Sequence, residues 1–184
     1  MSSWIEKIKT HTEYMSDVIT AVKGQAVNLS NEEDITFTVG ELLKRVNILM
    51  KHELKNAIVY LSISLKVDEN LILKGDVNSL VQVINNMISN SIQAYNGKSD
   101  QNIDLIVTKE NNNLLISVKD YASGLSQEAK DKLFKEMFTT KGKNGTGLGL
   151  YMSYSTIRAH FNGNITFESE EGKGTTFIIT LPIN

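Results

Sequence analysis

A run of apolar residues at helical spacing gives way to two runs at strand spacing, and this switch of period limits the fold most. Leu80, Val83, Ile84, Met87, Ile88 and Ile92 recur in steps of three and four, so Val77 to Tyr95 is predicted to be one long helix with a broad apolar face. Ile103 to Lys109 and Leu114 to Lys119 then alternate around Glu110 to Asn113, as a β-hairpin does. Thr38 to Leu54 reads as another helix, with Leu42, Val46, Leu49 and Met50 on one face. Strands are predicted at Ala57 to Leu65 and, shortly after, at Leu71 to Lys74. Ser126 followed by Gln127, Glu128 and Ala129 has the chemistry of a helix start. A helix from about Leu148 to Phe161 follows, and Asn162-Gly163 turns the chain into Ile165 to Glu168. Gly172 and Gly174 mark a turn before Thr175 to Leu181. The class is α+β, with a mostly antiparallel sheet and several helices.

The first 34 residues follow a different pattern. Trp4, Ile8, His11, Met15, Val18, Val22, Gln25 and Leu29 form a seam with alternating steps of four and three, widened by Ile5, Ile19 and Ala26. Such a seam belongs to a long helix that packs on a partner helix, as in a homodimer; the plainer alternative is packing on its own domain. The polar stretch NLSNEED (28–34) breaks the pattern. The expected organisation is a helix over 1–29, a linker over 30–37 and one domain over 38–184.

Composition excludes several functions. There is no cysteine, hence no disulfide framework, thiolate metal site or cysteine nucleophile. The histidines are scattered at 11, 52 and 160, which argues against a zinc cluster. A net charge of −2 gives no overall attraction to nucleic acid or anionic lipid. No apolar run approaches the roughly 18–20 residues that span a bilayer, and no signal peptide is visible. The expected compartment is the cytoplasm, free or as the cytoplasmic part of a membrane-anchored sensor, with no membrane contact from this segment.

Three sets of residues carry chemistry. The run GTGLGL (145–150) stands before a helix, where glycines let the backbone approach an anion and the first turn offers unpaired N–H groups. It is neither a P-loop, since no GKS or GKT follows, nor a dinucleotide fingerprint, since no strand directly precedes it. Asp120, in VKDYASG, lies at the end of a predicted strand. A buried carboxylate there can accept a hydrogen bond from an exocyclic amine such as that of adenine; the plainer role is stabilising a turn. Asn86 and Asn90 are four apart on one helical face, where amide oxygens can ligate Mg²⁺ beside phosphate; a structural pair is the alternative.

Taken in order, NMISNS (86–91), DYASG (120–124), LFKEMFTTK (133–141) with Phe134 and Phe138, and GTGLGL (145–150) resemble the asparagine, first glycine, phenylalanine and second glycine boxes of the catalytic and ATP-binding domain of sensor histidine kinases. That domain belongs to the superfamily of gyrase, Hsp90 and MutL. The closing HFNGNITFESEEGKGTTFIITLP (160–182) is similar as well, and the resemblance covers about residues 38 to 184. It implies a two-layer α/β sandwich of the Bergerat type, a mixed, mostly antiparallel sheet with helices on one face.

The resemblance also implies roles. Asn90 would ligate the Mg²⁺ that bridges the triphosphate of ATP, with Asn86 beside it. Asp120 would bind the adenine amine, and Gly124 would allow the tight turn against the base. Thr140 and Lys141 would lie in a lid, with Lys141 reaching phosphate oxygens. Gly145, Thr146, Gly147, Leu148 and Gly149 would line the phosphates with backbone N–H groups, and Thr176 would help hold the adenine site. Two positions depart from the pattern: Ala122 replaces the first glycine of DxGxG, and Gln93 stands where many relatives carry lysine. Asn86 replaces the glutamate of the hydrolytic branch, and an amide cannot act as general base. The implied activity is therefore that of a protein-histidine kinase in two-component signal transduction, with a response regulator as further partner. The alternative is a non-catalytic or hydrolytic ATP-binding module of the same superfamily.

None of the three histidines suits the acceptor role. His52, in KHELKNA, lacks the following proline and stands too near the asparagine box; it reads as an exposed residue near a helix end. His11 lies on the apolar seam, and His160 follows the glycine-box helix. The expectation is that the acceptor helix precedes the helix at 4–29 and is missing, so the chain binds ATP without autophosphorylating.

Overall fold

The computed structural model describes residues 35–133 and 148–183; the seam at 4–29, the linker as far as Asp34 and residues 134–147 lie outside the described residues. The chain runs β1 (Thr36–Thr38), α1 (Val39–Ala57), β2 (Val59–Leu65), β3 (Ile72–Lys74), α2 (Val77–Ala94), β4 (Gln101–Glu110), β5 (Asn113–Lys119), α3 (Gln127–Lys132), α4 (Leu148–Phe161), β6 (Asn164–Glu170) and β7 (Gly174–Pro182).

Five strands form a mixed sheet in the order β2-β4-β5-β7-β6. Only the β2–β4 pair is parallel, since α2 lies on the crossover between them. The alternation seen in sequence places Ile103, Leu105 and Val107 of β4, Leu114, Ile116 and Val118 of β5, and Phe177, Ile179 and Leu181 of β7 in the core. They pack against Leu80, Ile84, Met87 and Ile88 of α2, Leu42, Val46 and Met50 of α1, and Ile157 of α4. Full burial of a side chain such as Ile84 or Ile116 contributes roughly 1.5–3 kcal/mol. The predicted α+β two-layer sandwich, with its mixed and mostly antiparallel sheet, is thus what the chain forms.

Capping sets the helix starts. Thr38 accepts from the Glu41 N–H (3.1 Å), and Asp76 accepts from the N–H groups of Asn78 (3.1 Å) and Ser79 (3.0 Å). Ser126 caps α3 by accepting from Ala129 N–H (3.3 Å), as its sequence context predicted. Some details differ from the sequence reading: Ala57, assigned to a strand, ends α1, and β2 begins at Val59. Thr36 and Phe37, assigned to the linker, form β1 and pair with Lys74 and Leu73 of β3. Leu49, assigned to the apolar face of α1, is 61% exposed; Leu43 takes the inward place.

Candidate nucleotide site

Helix α2 contacts both the residue after β5, through Ser91 and Asp120, and the start of α4, through Asn86 and Gly149. Asp120 extends the inward register of Leu114, Ile116 and Val118 by one step beyond β5, so its carboxylate points to the helix side and is buried. Oδ1 accepts from the N–H groups of Ala122 (3.0 Å) and Thr175 (3.1 Å). Among the described residues, Oδ2 accepts only from the Ser91 hydroxyl, at 3.3 Å. A carboxylate has about four acceptor positions, so this one can take a further donor. Burial pushes its pKa above the ordinary carboxylate value, opposed by the N–H groups of Ala122 and Thr175 and by Ser91.

Close backbone approaches shape the loop after Asp120. Gly174 brings β7 so near that a Cβ there would lie 2.1 Å from the Asp120 carbonyl oxygen. Gly124 has φ +71, and its Cβ would meet the Glu170 carbonyl oxygen at 2.2 Å. Ala122, the departure from DxGxG, is not among the positive-φ residues, so alanine fits without backbone strain.

Asn86 faces α4. Its Nδ2 donates to Ser153 Oγ at 3.0 Å, and a Cβ on Gly149 would stand 2.6 Å from its Oδ1. Glycine at 149 therefore lets the first turn of α4 close on the asparagine box. Asn90, one turn further along α2, is partly buried on the same side. Its amide oxygen suits a hard cation. Among the described residues no group of three His, Cys, Asp or Glu gathers to hold a metal. A Mg²⁺ ion arriving with a nucleotide would be held here by the Asn90 amide oxygen and would need its remaining ligands from phosphate and water.

Of the residues named from sequence, Asn86 and Gly149 meet, Asn90 lies one turn from Asn86, and Asp120 is joined to α2 through Ser91, while Gly124 sits further along the loop against Glu170. Thr140, Lys141, Gly145, Thr146 and Gly147 lie outside the described residues, as does the side chain of Leu148. Thr176 does not join them: it pairs with Lys119 and shares its outward register, whereas Thr175 donates to Asp120. Counting back in twos from the inward Phe177, Ile179 and Leu181 identifies position 175. Sequence reasoning also passed over Ser91, Ser153 and Tyr95. His52 is exposed near the end of α1, as its sequence context predicted, and is paired with Asn56 (3.1 Å).

Behind the loop the packing is open. A cleft of about 280 Å³ is bordered by Ala94, Tyr95, Lys98, Tyr121, Ala122 and Gly172; Asp120, Asn86 and Asn90 do not line it. The Tyr95 hydroxyl donates to the Asn102 carbonyl (2.5 Å) and accepts from the Tyr121 N–H (2.9 Å). Burial raises its pKa, so it stays a neutral donor. The Tyr121 hydroxyl donates to Asp104 (2.5 Å), and this bond to a carboxylate, ahead of burial, pushes its pKa to about 12.

Comparison with known proteins gives the class of this domain: residues 75–184 match the family of histidine kinase-, DNA gyrase B- and HSP90-like ATPases. The chain belongs to that family, and its named relatives are sensor histidine kinases. It is similar to Sporulation kinase C of Bacillus subtilis (strain 168), at 30% identity over 177 residues, which covers 96% of this chain and 39% of that protein. Across three such relatives the chain spans 20% to 39% of their length. The solved catalytic domain of histidine kinase ThkA superposes with a TM-score of 0.70 at 27% identity, over 80% of this chain and 94% of that one. ThkA in complex with the response regulator protein TrrA shares the fold, with a TM-score of 0.71 at 23% identity, over 94% of this chain and 49% of that one. No helix among the described residues is long and apolar enough to cross a membrane.

Proposed function

We propose that this chain is the ATP-binding catalytic core of a sensor histidine kinase, passing the γ-phosphoryl group of ATP to a histidine on a paired helix. The observation that carries the proposal is Asp120, a buried carboxylate with an acceptor position to spare, in a chain of this family. Adenine presents an amine to such a group, whereas guanine presents a carbonyl at the corresponding edge, so the site selects adenine. Gly124 keeps the loop close enough to border the base, and Thr175 holds the carboxylate in place.

At the other end, the start of α4 directs unpaired N–H groups and the positive helix end towards the phosphates. Gly145, Thr146, Gly147, Leu148 and Gly149 belong to that cradle, and Thr140 and Lys141 to the lid, where Lys141 offsets phosphate charge. Asn90 would hold Mg²⁺, which neutralises charge on the triphosphate. Asn86 orients rather than deprotonates: its amide is tied to Ser153 and cannot take a proton from water. That favours transfer over hydrolysis, a reaction that depends on positioning and charge neutralisation.

The acceptor is a histidine other than His11, His52 and His160, and residues 1–29 pair the chain with a second copy. The phosphoryl group then passes to a response regulator, the kind of partner with which ThkA was solved. The test mixes this chain with Mg-ATP and a helical domain that carries an acceptor histidine. Phosphohistidine on that domain is the expected product. ATP binding without transfer to any such acceptor would overturn the kinase reading, and steady ATP turnover without an acceptor would favour a hydrolase.

A further inference from the structure

We infer that the Tyr95 hydroxyl is a positioning group for the adenine-binding carboxylate. The inference rests on the adenine reading of Asp120. The segment from Asp120 to Ser126 has no helix or strand hydrogen bonding of its own, and the cleft of about 280 Å³ leaves one side of it without packed support. Its position therefore depends on individual hydrogen bonds. Strands β6 and β7 and their turn supply several: the Asp120 N–H donates to the Thr175 carbonyl (2.9 Å), the Thr175 N–H returns to Asp120 Oδ1, the Gly172 N–H donates to the Ser123 carbonyl (2.7 Å), and the Leu125 N–H donates to Ser169 Oγ (2.8 Å). On the cleft side, the peptide between Asp120 and Tyr121 is held by Tyr95, whose hydroxyl accepts the Tyr121 N–H at 2.9 Å.

Tyr95 is itself fixed. It is only 2% exposed, immediately follows α2, and has its proton committed to the Asn102 carbonyl at the start of β4. The hydroxyl thus links three elements, α2, β4 and the loop, through one atom. The peptide it holds directly follows the Asp120 Cα, and its rotation would carry away the Ala122 N–H that donates to Asp120 Oδ1 at 3.0 Å, one of the bonds that orient the carboxylate. Phenylalanine would keep the ring packing but leave the Tyr121 N–H and the Asn102 carbonyl without this partner.

The test is a double-mutant cycle on nucleotide affinity, using the whole chain, calorimetry, ATP and GTP. Tyr95→Phe is expected to weaken ATP binding about fivefold to tenfold and leave GTP binding unchanged. In an Asp120→Asn background, Tyr95→Phe is expected to add nothing, because it acts through that carboxylate; effects that simply add would mark general loosening and overturn the inference. Equal ATP affinity in Tyr95→Phe and the unmutated chain would overturn it too. If Asp120→Asn alone leaves ATP affinity unchanged, the adenine reading fails rather than the hydrogen bond. A second measurement needs no variant: the Tyr121 amide is expected to exchange with solvent at least about tenfold more slowly than that of exposed Ser123. Equal rates would contradict the tie.

Discussion

Gly149 and Asn86 compete for one small space: a Cβ on Gly149 would stand 2.6 Å from Asn86 Oδ1 and 2.9 Å from Nδ2. Side-chain ends usually yield cheaply, but this amide is tied to Ser153 at 3.0 Å. Gly149→Ala is therefore expected to break that bond, costing about 1 kcal/mol of stability, and to weaken Mg-ATP binding about tenfold. Thermal melts and calorimetry check both. In an Asn86→Ala background the same change becomes close to neutral for stability, since the clash is gone. A full cost in both backgrounds would contradict the contact.

Gly124 and Gly172 both have positive φ, +71 and +82, yet they are expected to behave differently. An alanine at 172 meets nothing within 4 Å and carries only the backbone penalty, about 1 kcal/mol. An alanine at 124 would press on the Glu170 carbonyl at 2.2 Å, so the β6–β7 turn or the loop must move. The expected cost is roughly 2–4 kcal/mol, with loss of ATP binding. Denaturant titration of the two variants separates the cases, and equal costs would contradict the close approach.

Stability and binding are expected to respond to pH in opposite senses through Asp120. Its folded pKa is raised above the ordinary 3.8 by burial, against the pull of its donors. The folded chain therefore binds more protons in the window that opens at 3.8. This contribution to stability is complete below 3.8 and is lost as pH rises through the raised folded value. ATP affinity goes the other way, falling as pH drops through that value, because the protonated carboxyl is a poorer acceptor. Asp120→Asn removes both dependences, which melts and titrations across the window would show.

Much of the fold was legible because period and burial agree. The apolar face of α2 and the alternation of β4, β5 and β7 mark the core directly, and Ser126 carries ordinary N-cap chemistry. The parallel β2–β4 pairing was not visible, since a strand's partner depends on contacts remote in sequence. The β1 strand, three residues long, was too short to show a period. In the site, Asn86, Asn90 and Asp120 stood out as polar residues set in apolar segments. Ser91, Ser153 and Tyr95 did not, because a hydroxyl inside a helix or at its end looks the same from sequence whether it bonds across the fold or faces water. Thr176 was preferred to Thr175 because adjacent threonines differ only by strand parity.

The most direct measurement for the whole account is calorimetric titration of ATP and GTP, with Mg²⁺, into the unmutated chain and Asp120→Asn. The account predicts that the unmutated chain prefers ATP, and that Asp120→Asn loses roughly tenfold to a hundredfold in ATP affinity, as expected for a hydrogen bond to a charged group worth about 1.5–3 kcal/mol. It also predicts a melting temperature for the variant no lower than that of the unmutated chain, since the buried charge is gone. ATP affinity unchanged by Asp120→Asn would contradict the account.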